Sequence, residues 1–184
     1  MTEILPEKDV VALLLEQHDR IRRLFDEIAH TESPGLKRDR FEQLRRLLAV
    51  HETAEELVTH PRARVNAGAV VDTLLEEEHA GKELLVEVER LDTDDPAFDE
   101  ALATLRTAVL EHAEHEERAE FPILRRDNDE PTLRLMAAAV RAAEAVAPTH
   151  PHPRAGESAT VNAAVGPIAS IVDRTRDAVR SVLG

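Results

Sequence analysis

The segment HETAEELVTHP at residues 51–61 recurs as HAEHEERAEFP at residues 112–122, and this repeat decides the fold. Both copies place a histidine four residues before a glutamate and ten residues before a proline. A further histidine precedes the histidine of each copy by 33 residues, at His18 and His79. The two halves of the chain are therefore offset by 61 residues, and we expect each half to form a helical hairpin.

Apolar residues recur at helical spacing along nearly the whole chain, which makes the fold class all-α. The predicted helices span 7–31, 36–60, 68–91, 97–126 and 131–147, followed by a last helix interrupted near Gly166-Pro167. Short connections predict an up-down-up-down four-helix bundle with additional C-terminal helices. We expect the bundle to occupy residues 1–128 and a C-terminal helical extension to occupy 129–184, with a linker rich in proline and histidine at 148–156.

The composition excludes several classes of function. The 184 residues include 23 basic and 37 acidic side chains, a net charge of −14, and no cysteine. Because an acidic surface repels the phosphate backbone, nucleic acid is not an expected partner. Without cysteine, any metal must be bound by histidine, aspartate or glutamate. No segment predicts a membrane span or a signal peptide, so we expect a cytoplasmic monomer or homodimer.

Helical phase places the repeated histidines and glutamates on the apolar seam of the bundle. The seam of the second helix runs through Phe41, Leu44, Leu48, His51, Glu55 and Val58. The fourth helix repeats this seam through His112 and Glu116, and the first helix carries His18 on its own seam. The third helix is less regular, because Lys82 interrupts the face that carries His79. The predicted metal ligands are His18, His51, Glu55, His79, His112 and Glu116.

Four imidazoles and two carboxylates suit two divalent first-row metal ions. A single inward histidine is usually a hydrogen-bonded core residue, but six such groups in apolar seams would cost several kcal/mol for each unpaired charge. Two histidines for each ion and two shared carboxylates leave open coordination positions with a net positive charge. The sequence thus predicts a centre that binds a small ligand of the hydroxide, superoxide or peroxide type.

Neighbouring residues are further candidates for the site. Glu52 follows His51 directly, and His115 lies one turn beyond the last predicted histidine ligand. Each is an additional ligand candidate, and the alternative is a hydrogen bond to a ligand or a partly solvated position. His60, whose repeat partner is Phe121, is expected to cap the end of the bundle rather than to bind metal.

The doubled pattern, over about residues 9–126, resembles the hemerythrin-like (HHE cation-binding) domain of the bacterial type. The resemblance implies a non-haem di-iron centre (Fe²⁺/Fe³⁺) with a bridging oxo or hydroxo group, bound by the six residues above, in which Mn or Zn could substitute. Invertebrate oxygen carriers have a further histidine where Leu75 stands. They also end their last motif with an aspartate five residues after its histidine, in place of Glu116. These departures weaken the interpretation as a reversible oxygen carrier.

Two functions of different classes follow from this resemblance. The leading one is a di-iron protein that binds or reacts with O₂, NO or H₂O₂, including catalase-like disproportionation of peroxide, with no catalytic residue identified beyond the metal site. The alternative is an iron- or oxygen-responsive regulatory module without turnover, in which the segment from Thr149 onward reports metal occupancy to a partner. A structural bundle that never binds metal is a third interpretation, and the buried charges disfavour it.

Overall fold

The computed structural model describes residues 8–146 and 166–183. Its elements are α1 (Val10–Ala29), α2 (Pro34–Val58), α3 (His60–Glu89), α4 (Pro96–His115), a π-helical turn (Glu116–Glu120), α5 (Phe121–Asp127), α6 (Glu130–Val146) and α7 (Gly166–Leu183). The prediction of an all-α fold is confirmed. The predicted linker at 148–156 lies outside the described residues, and the domain division at residue 128 stays a prediction.

Helices α1 to α4 form the predicted four-helix bundle. Helix α1 packs against α2 and α4, and α3 packs against the same two helices on the opposite side. Side-chain caps define two of the helix starts, because Asp9 accepts a hydrogen bond from the amide of Ala12 (2.7 Å) and Asp95 accepts one from the amide of Ala97 (2.9 Å). The short connections between helices make sequence neighbours antiparallel, as expected for the up-down-up-down arrangement.

Two helix boundaries differ from the predicted ones. Thr59 alone separates α2 from α3, and Pro61 lies in the first turn of α3, where a missing N–H costs no hydrogen bond. The proline therefore starts a helix, and the predicted start at residue 68 corresponds instead to a kink at Ala67 (φ −145°, ψ 46°). The predicted helix over 97–126 is interrupted by the π-helical turn, a feature that is frequent at functional sites.

The inward face of α3 also differs from the predicted face. Beyond the kink its buried residues are Val71, Leu74, Glu78, Gly81, Leu85 and Val88, with the alternating spacing of three and four that a bundle seam requires. His79 lies beside this seam and its side chain is 76% exposed. The alternative seam through His79 would bury the ammonium of Lys82, whereas the observed seam buries apolar residues and one carboxylate that finds partners.

Two apolar clusters fill the interior on either side of a layer of polar residues. One contains Phe25, Phe98 and Leu105 from the bundle. The other contains Leu14 from α1 and Met136 from α6. Helix α6 packs against α1 and α2, and α7 packs against α2 and α6, so the C-terminal extension covers this second cluster. Among the described helices, none is long and apolar enough to cross a membrane.

Candidate metal centre

Buried histidines and carboxylates meet in the polar layer between the two apolar clusters. His18 from α1, His51 and Glu55 from α2, and Glu116 from the π-helical turn each offer a ligand atom, and these atoms lie within 4.8 Å of one another. Their side chains belong to residues that are between 0% and 4% exposed. The structure therefore brings together four of the six predicted ligands.

His18 and His51 are each oriented by a hydrogen bond at Nδ1, the ring nitrogen that faces away from the centre of the cluster. His18 Nδ1 lies 2.8 Å from Glu117 Oε1, which also accepts a hydrogen bond from Arg22 at 2.8 Å. His51 Nδ1 lies 2.6 Å from Gln17 Oε1. Because a carboxylate oxygen and an amide oxygen can only accept, both Nδ1 atoms donate, and in the neutral rings both Nε2 atoms then keep their lone pairs. This arrangement is typical of histidines that bind metal through Nε2.

The inner atoms of these residues face one another without an intervening donor. The Nε2 atoms of His18 and His51 are 3.1 Å apart. Glu116 Oε2 lies 3.3 Å from His18 Nε2, and Glu55 Oε2 lies 3.2 Å from His51 Nε2. Neither carboxylate has a hydrogen-bond partner for either oxygen among the described residues.

Such a set of acceptors fits a divalent cation. Four electron-rich atoms at contact distance in a dry interior repel one another unless a positive charge lies between them. Their separations are close to the roughly 3.0 Å expected between neighbouring donors on one octahedral ion with bonds of about 2.1 Å. A metal ion at their centre would explain both the unpartnered oxygens and the facing lone pairs.

Burial shifts the proton equilibria of these groups. Burial lowers the pKa of His51 well below its usual range, and the neighbouring His18 lowers it further. Burial raises the pKa of Glu55 well above its usual range, and the neighbouring carboxylates add to this rise. The neutral imidazole is the form that binds metal, and a bound cation would favour the ionised carboxylate.

A second buried cluster adjoins the first and shares Glu116 with it. His60, at the start of α3, lies with Nδ1 2.8 Å from Glu120 Oε1 and with Nε2 2.7 Å from Glu78 Oε1. His60, Glu116 and Glu120 also present ligand atoms within 4.8 Å of one another. Although burial opposes a charge here, the two carboxylates raise the pKa of His60 to about 10. His60 thus belongs to the ionic interior rather than only capping the bundle.

A narrow cavity lies beside the first cluster. Its volume is about 20 Å³, and its lining includes His51, Glu52, Gly81 and His112. A space of this size holds about one water-sized molecule, so it admits only ligands of a few atoms unless side chains move. Burial raises the pKa of Glu52 to about 8 even though the charge of Lys82 opposes the shift.

The remaining predicted site residues lie at the edge of the clusters or outside them. His112 Nε2 lies 3.5 Å from Glu116 Oε1 without a hydrogen-bond partner in the described part of the chain, and its Nδ1 lies 3.1 Å from Glu77. His115 contacts the same Glu77 at 2.9 Å instead of entering the clusters. The structure does not bring His79 to either cluster, because α3 turns it towards solvent.

Sequence reasoning missed three members of the second cluster: His60, Glu78 and Glu120. Glu78 could have been identified from the sequence, because apolar residues continue at the spacing of the α3 seam before and after it. Glu120 follows Glu116 at the same four-residue spacing as the recognised His-Glu pairs. His60 aligns with Phe121 in the internal repeat. Because a large apolar side chain such as Phe121 is usually buried, the alignment indicates that the side chain of His60 also points into the bundle.

Comparison with known proteins identifies the class to which this site belongs. Residues 9–124 match the hemerythrin HHE cation-binding domain, and the chain belongs to this family. The crystal structure of a hemerythrin HHE cation-binding domain-containing protein from Mycobacterium kansasii has the same fold, with a TM-score of 0.68 over 96% of this chain and 97% of that chain at 17% identity. Family membership and the buried clusters define a metal-binding helical domain.

A protein described as a nickase is also similar in sequence to part of this chain. A DNA nickase from Nostoc sp. (strain PCC 7120) is 28% identical to this chain over 119 residues. The aligned region is 64% of this chain and 33% of the nickase. The chain thus spans about a third of that protein, and nicking is a property of the nickase.

Proposed function

We propose that the chain is a non-haem di-iron protein that reacts with hydrogen peroxide, dioxygen or nitric oxide, and that its activity is the disproportionation of peroxide to water and dioxygen. One observation carries the proposal: the Nε2 atoms of His18 and His51 face each other at 3.1 Å beside two buried carboxylates that lack partners. Two histidine nitrogens and two carboxylates form a donor set that suits first-row transition metals such as iron.

The residues around the centre favour a small oxidant. A bound pair of irons would supply two electrons to reduce one peroxide to water and would recover two electrons from a second peroxide, which is oxidised to dioxygen. The cavity walls include Ile21, Leu48 and Val109, which limit access by water and by organic molecules. The chain contains no tyrosine, tryptophan or cysteine that could carry an oxidising equivalent away from the centre. A confined space with redox-inert walls therefore supports peroxide chemistry over oxidation of a larger substrate.

Oxygen release from peroxide tests this function directly. Iron-loaded protein should evolve dioxygen catalytically, and His51→Ala and Glu116→Ala should each lose at least about 99% of this rate, because each removes a donor from the centre. His30→Ala is the matched control, since His30 is an exposed histidine at the end of α1 that should leave the rate unchanged. Wild-type protein that binds iron without releasing dioxygen would refute the proposal.

A specific chain of contacts favours the iron-responsive sensor as a second candidate function. Gln17 contacts His51 through Oε1 and donates from Nε2 to Glu144 Oε1 of α6 at 2.9 Å. Helix α6 in turn packs against α7. Occupancy of the metal centre, which holds His51 in place, is thereby linked to the position of the C-terminal extension.

Hydrogen exchange of the full chain with and without iron tests the sensor. If the extension reports occupancy, amides of α6 and α7 should exchange more slowly in the iron-bound protein, beyond any uniform change across α1 to α4. Equal relative protection of the bundle and the extension in both states would count against a sensor.

A further inference from the structure

The register of α3 changes the donor set available to a second metal ion. The repeat in the sequence assigns His79 to this ion, but the structure exposes His79 and buries the adjacent Glu78. We propose that the second metal ion is bound by His60, Glu116 and Glu120, and that Glu78 orients the His60 ring. This inference rests on the proposed function only in taking the protein to bind two metal ions.

The three donors are buried, and most of their carboxylate oxygens lack a hydrogen-bond partner in the described part of the chain. His60 is 2% exposed, and Glu116 and Glu120 are completely buried. Glu120 Oε2 and both oxygens of Glu116 have no hydrogen-bond partner among the described residues. Each of the three residues offers one ligand atom, and these atoms lie within 4.8 Å of one another. A buried carboxylate oxygen without a donor is costly, and a cation supplies the missing interaction.

The outer nitrogen of His60 has the partner that a metal-binding histidine needs. His60 Nε2 lies 2.7 Å from Glu78 Oε1, while Nδ1 lies 2.8 Å from Glu120 Oε1. The second oxygen of Glu78 accepts a hydrogen bond from Lys82 Nζ at 3.2 Å, which holds the carboxylate in place. A carboxylate that accepts the distal N–H of a histidine fixes its tautomer and leaves the other nitrogen for the metal.

Local backbone structure explains why these donors converge. His60 stands at the first residue of α3, immediately after the turn at Thr59, so the α2–α3 junction directs its ring inward. The π-helical turn begins at Glu116 and ends at Glu120, and both carboxylates are buried within it. A π turn is wider than an α turn, and here it directs two successive inward carboxylates towards the junction.

The charge of the polar layer also favours a second divalent ion. Four carboxylates are buried together in the two clusters: Glu55, Glu78, Glu116 and Glu120. Two divalent ions would balance four ionised carboxylates, whereas one ion at His18 and His51 leaves two of them to be balanced by Lys82 at the edge and by a proton on His60. A second ion would therefore replace the proton of His60 as the charge that balances the carboxylates around it.

Metal stoichiometry distinguishes this donor set from the one that the repeat predicts. The full chain is titrated anaerobically with Fe²⁺, desalted and analysed for bound iron, and Co²⁺ is used in parallel because its visible bands report histidine ligation. Wild-type protein should bind two ions per chain. His60→Ala and the milder Glu120→Gln should each bind one, and His79→Ala should still bind two, because only the first two change a donor.

Each alternative result contradicts the inference. Folded His60→Ala and Glu120→Gln proteins that keep both ions, or that lose both, would overturn it, as would a fall to one ion in His79→Ala. Helical circular dichroism establishes that each variant is folded, and Glu120→Gln preserves the size of the side chain if His60→Ala proves unstable. Failure of the proposed function looks different, since the wild type would then bind two irons and release no dioxygen from peroxide.

Discussion

Replacement of Gly81 by alanine should raise the stability of the fold and weaken ligand binding in the cavity. Gly81 lies in the buried seam of α3, a 30-residue helix, and lines the cavity beside the first cluster. Apart from its chain neighbours and the adjacent backbone of its own helix, a Cβ atom added at this position would meet no heavy atom of the described residues within 4 Å. Close packing therefore does not require a glycine here, although glycine weakens a helix interior.

The substitution should stabilise the protein. Alanine is favoured over glycine inside a helix by about 1 kcal/mol, and the open space around the new methyl group adds no steric cost. For a chain of this length, about 1 kcal/mol corresponds to a rise of roughly 2–4 °C in Tm. The expected result is an increase of this size for metal-free Gly81→Ala, measured by thermal unfolding.

The same methyl group should obstruct the ligand. It enters a cavity of about 20 Å³ that holds about one water-sized molecule, so a bound ligand and the methyl group would overlap. Forcing an extra methyl group into a filled space costs about 1–3 kcal/mol, which corresponds to roughly 5- to 150-fold weaker binding. Azide titrated into the iron-loaded protein and followed by visible absorption measures this loss.

Gly68→Ala is the matched control for this experiment. Gly68 lies in the same helix and its added Cβ would also meet nothing within 4 Å among the described residues, but it is absent from the cavity lining. Its alanine variant should gain stability and keep wild-type azide affinity. The reasoning fails if Gly81→Ala binds azide as tightly as the wild type does, or if it loses iron or stability.

Three further predictions concern the support and the charge of the centre. Gln17→Leu should weaken iron binding by roughly 10- to 100-fold in competition with a chelator, because His51 loses the partner of its Nδ1, and wild-type affinity would contradict this. Chelation of the metal should lower Tm by several degrees and re-addition of iron should restore it, whereas an unchanged Tm would favour a purely structural bundle. The urea stability of metal-free protein should fall as pH rises between about 6.5 and 9, above the range in which the lowered pKa of His51 acts in the opposite direction. In the folded protein the pKa of Glu52 is about 8, against 4.5 in the unfolded chain, and the pKa of His60 is about 10, against 6.5. The folded state therefore holds these protons more tightly, and this stabilisation is lost as they dissociate. A level or rising stability would refute this assignment.

The recognised part of the site follows from local periodicity. His51 and Glu55 are one turn apart on a strongly apolar seam, and His18 stands on the seam of α1, so helical phase alone directs all three inward. In α3 the same reasoning meets two seams that are offset by one residue, one through Glu78 and one through His79. Only the observed seam keeps Lys82 at the surface, where its Nζ can contact Glu56 at 2.6 Å.

The sequence by itself determines the all-α class, the bundle and the family, because the helical period and the internal repeat are properties of neighbouring residues. The tertiary structure alone decides which donors meet in the second cluster and how the extension contacts the first. His60 contacts Glu78 and Glu120 across 18 and 60 residues, and Gln17 contacts Glu144 across 127. Such pairs depend on the helix register that buries the most apolar surface and leaves the fewest charges unpaired, and this balance exists only when the helices pack together.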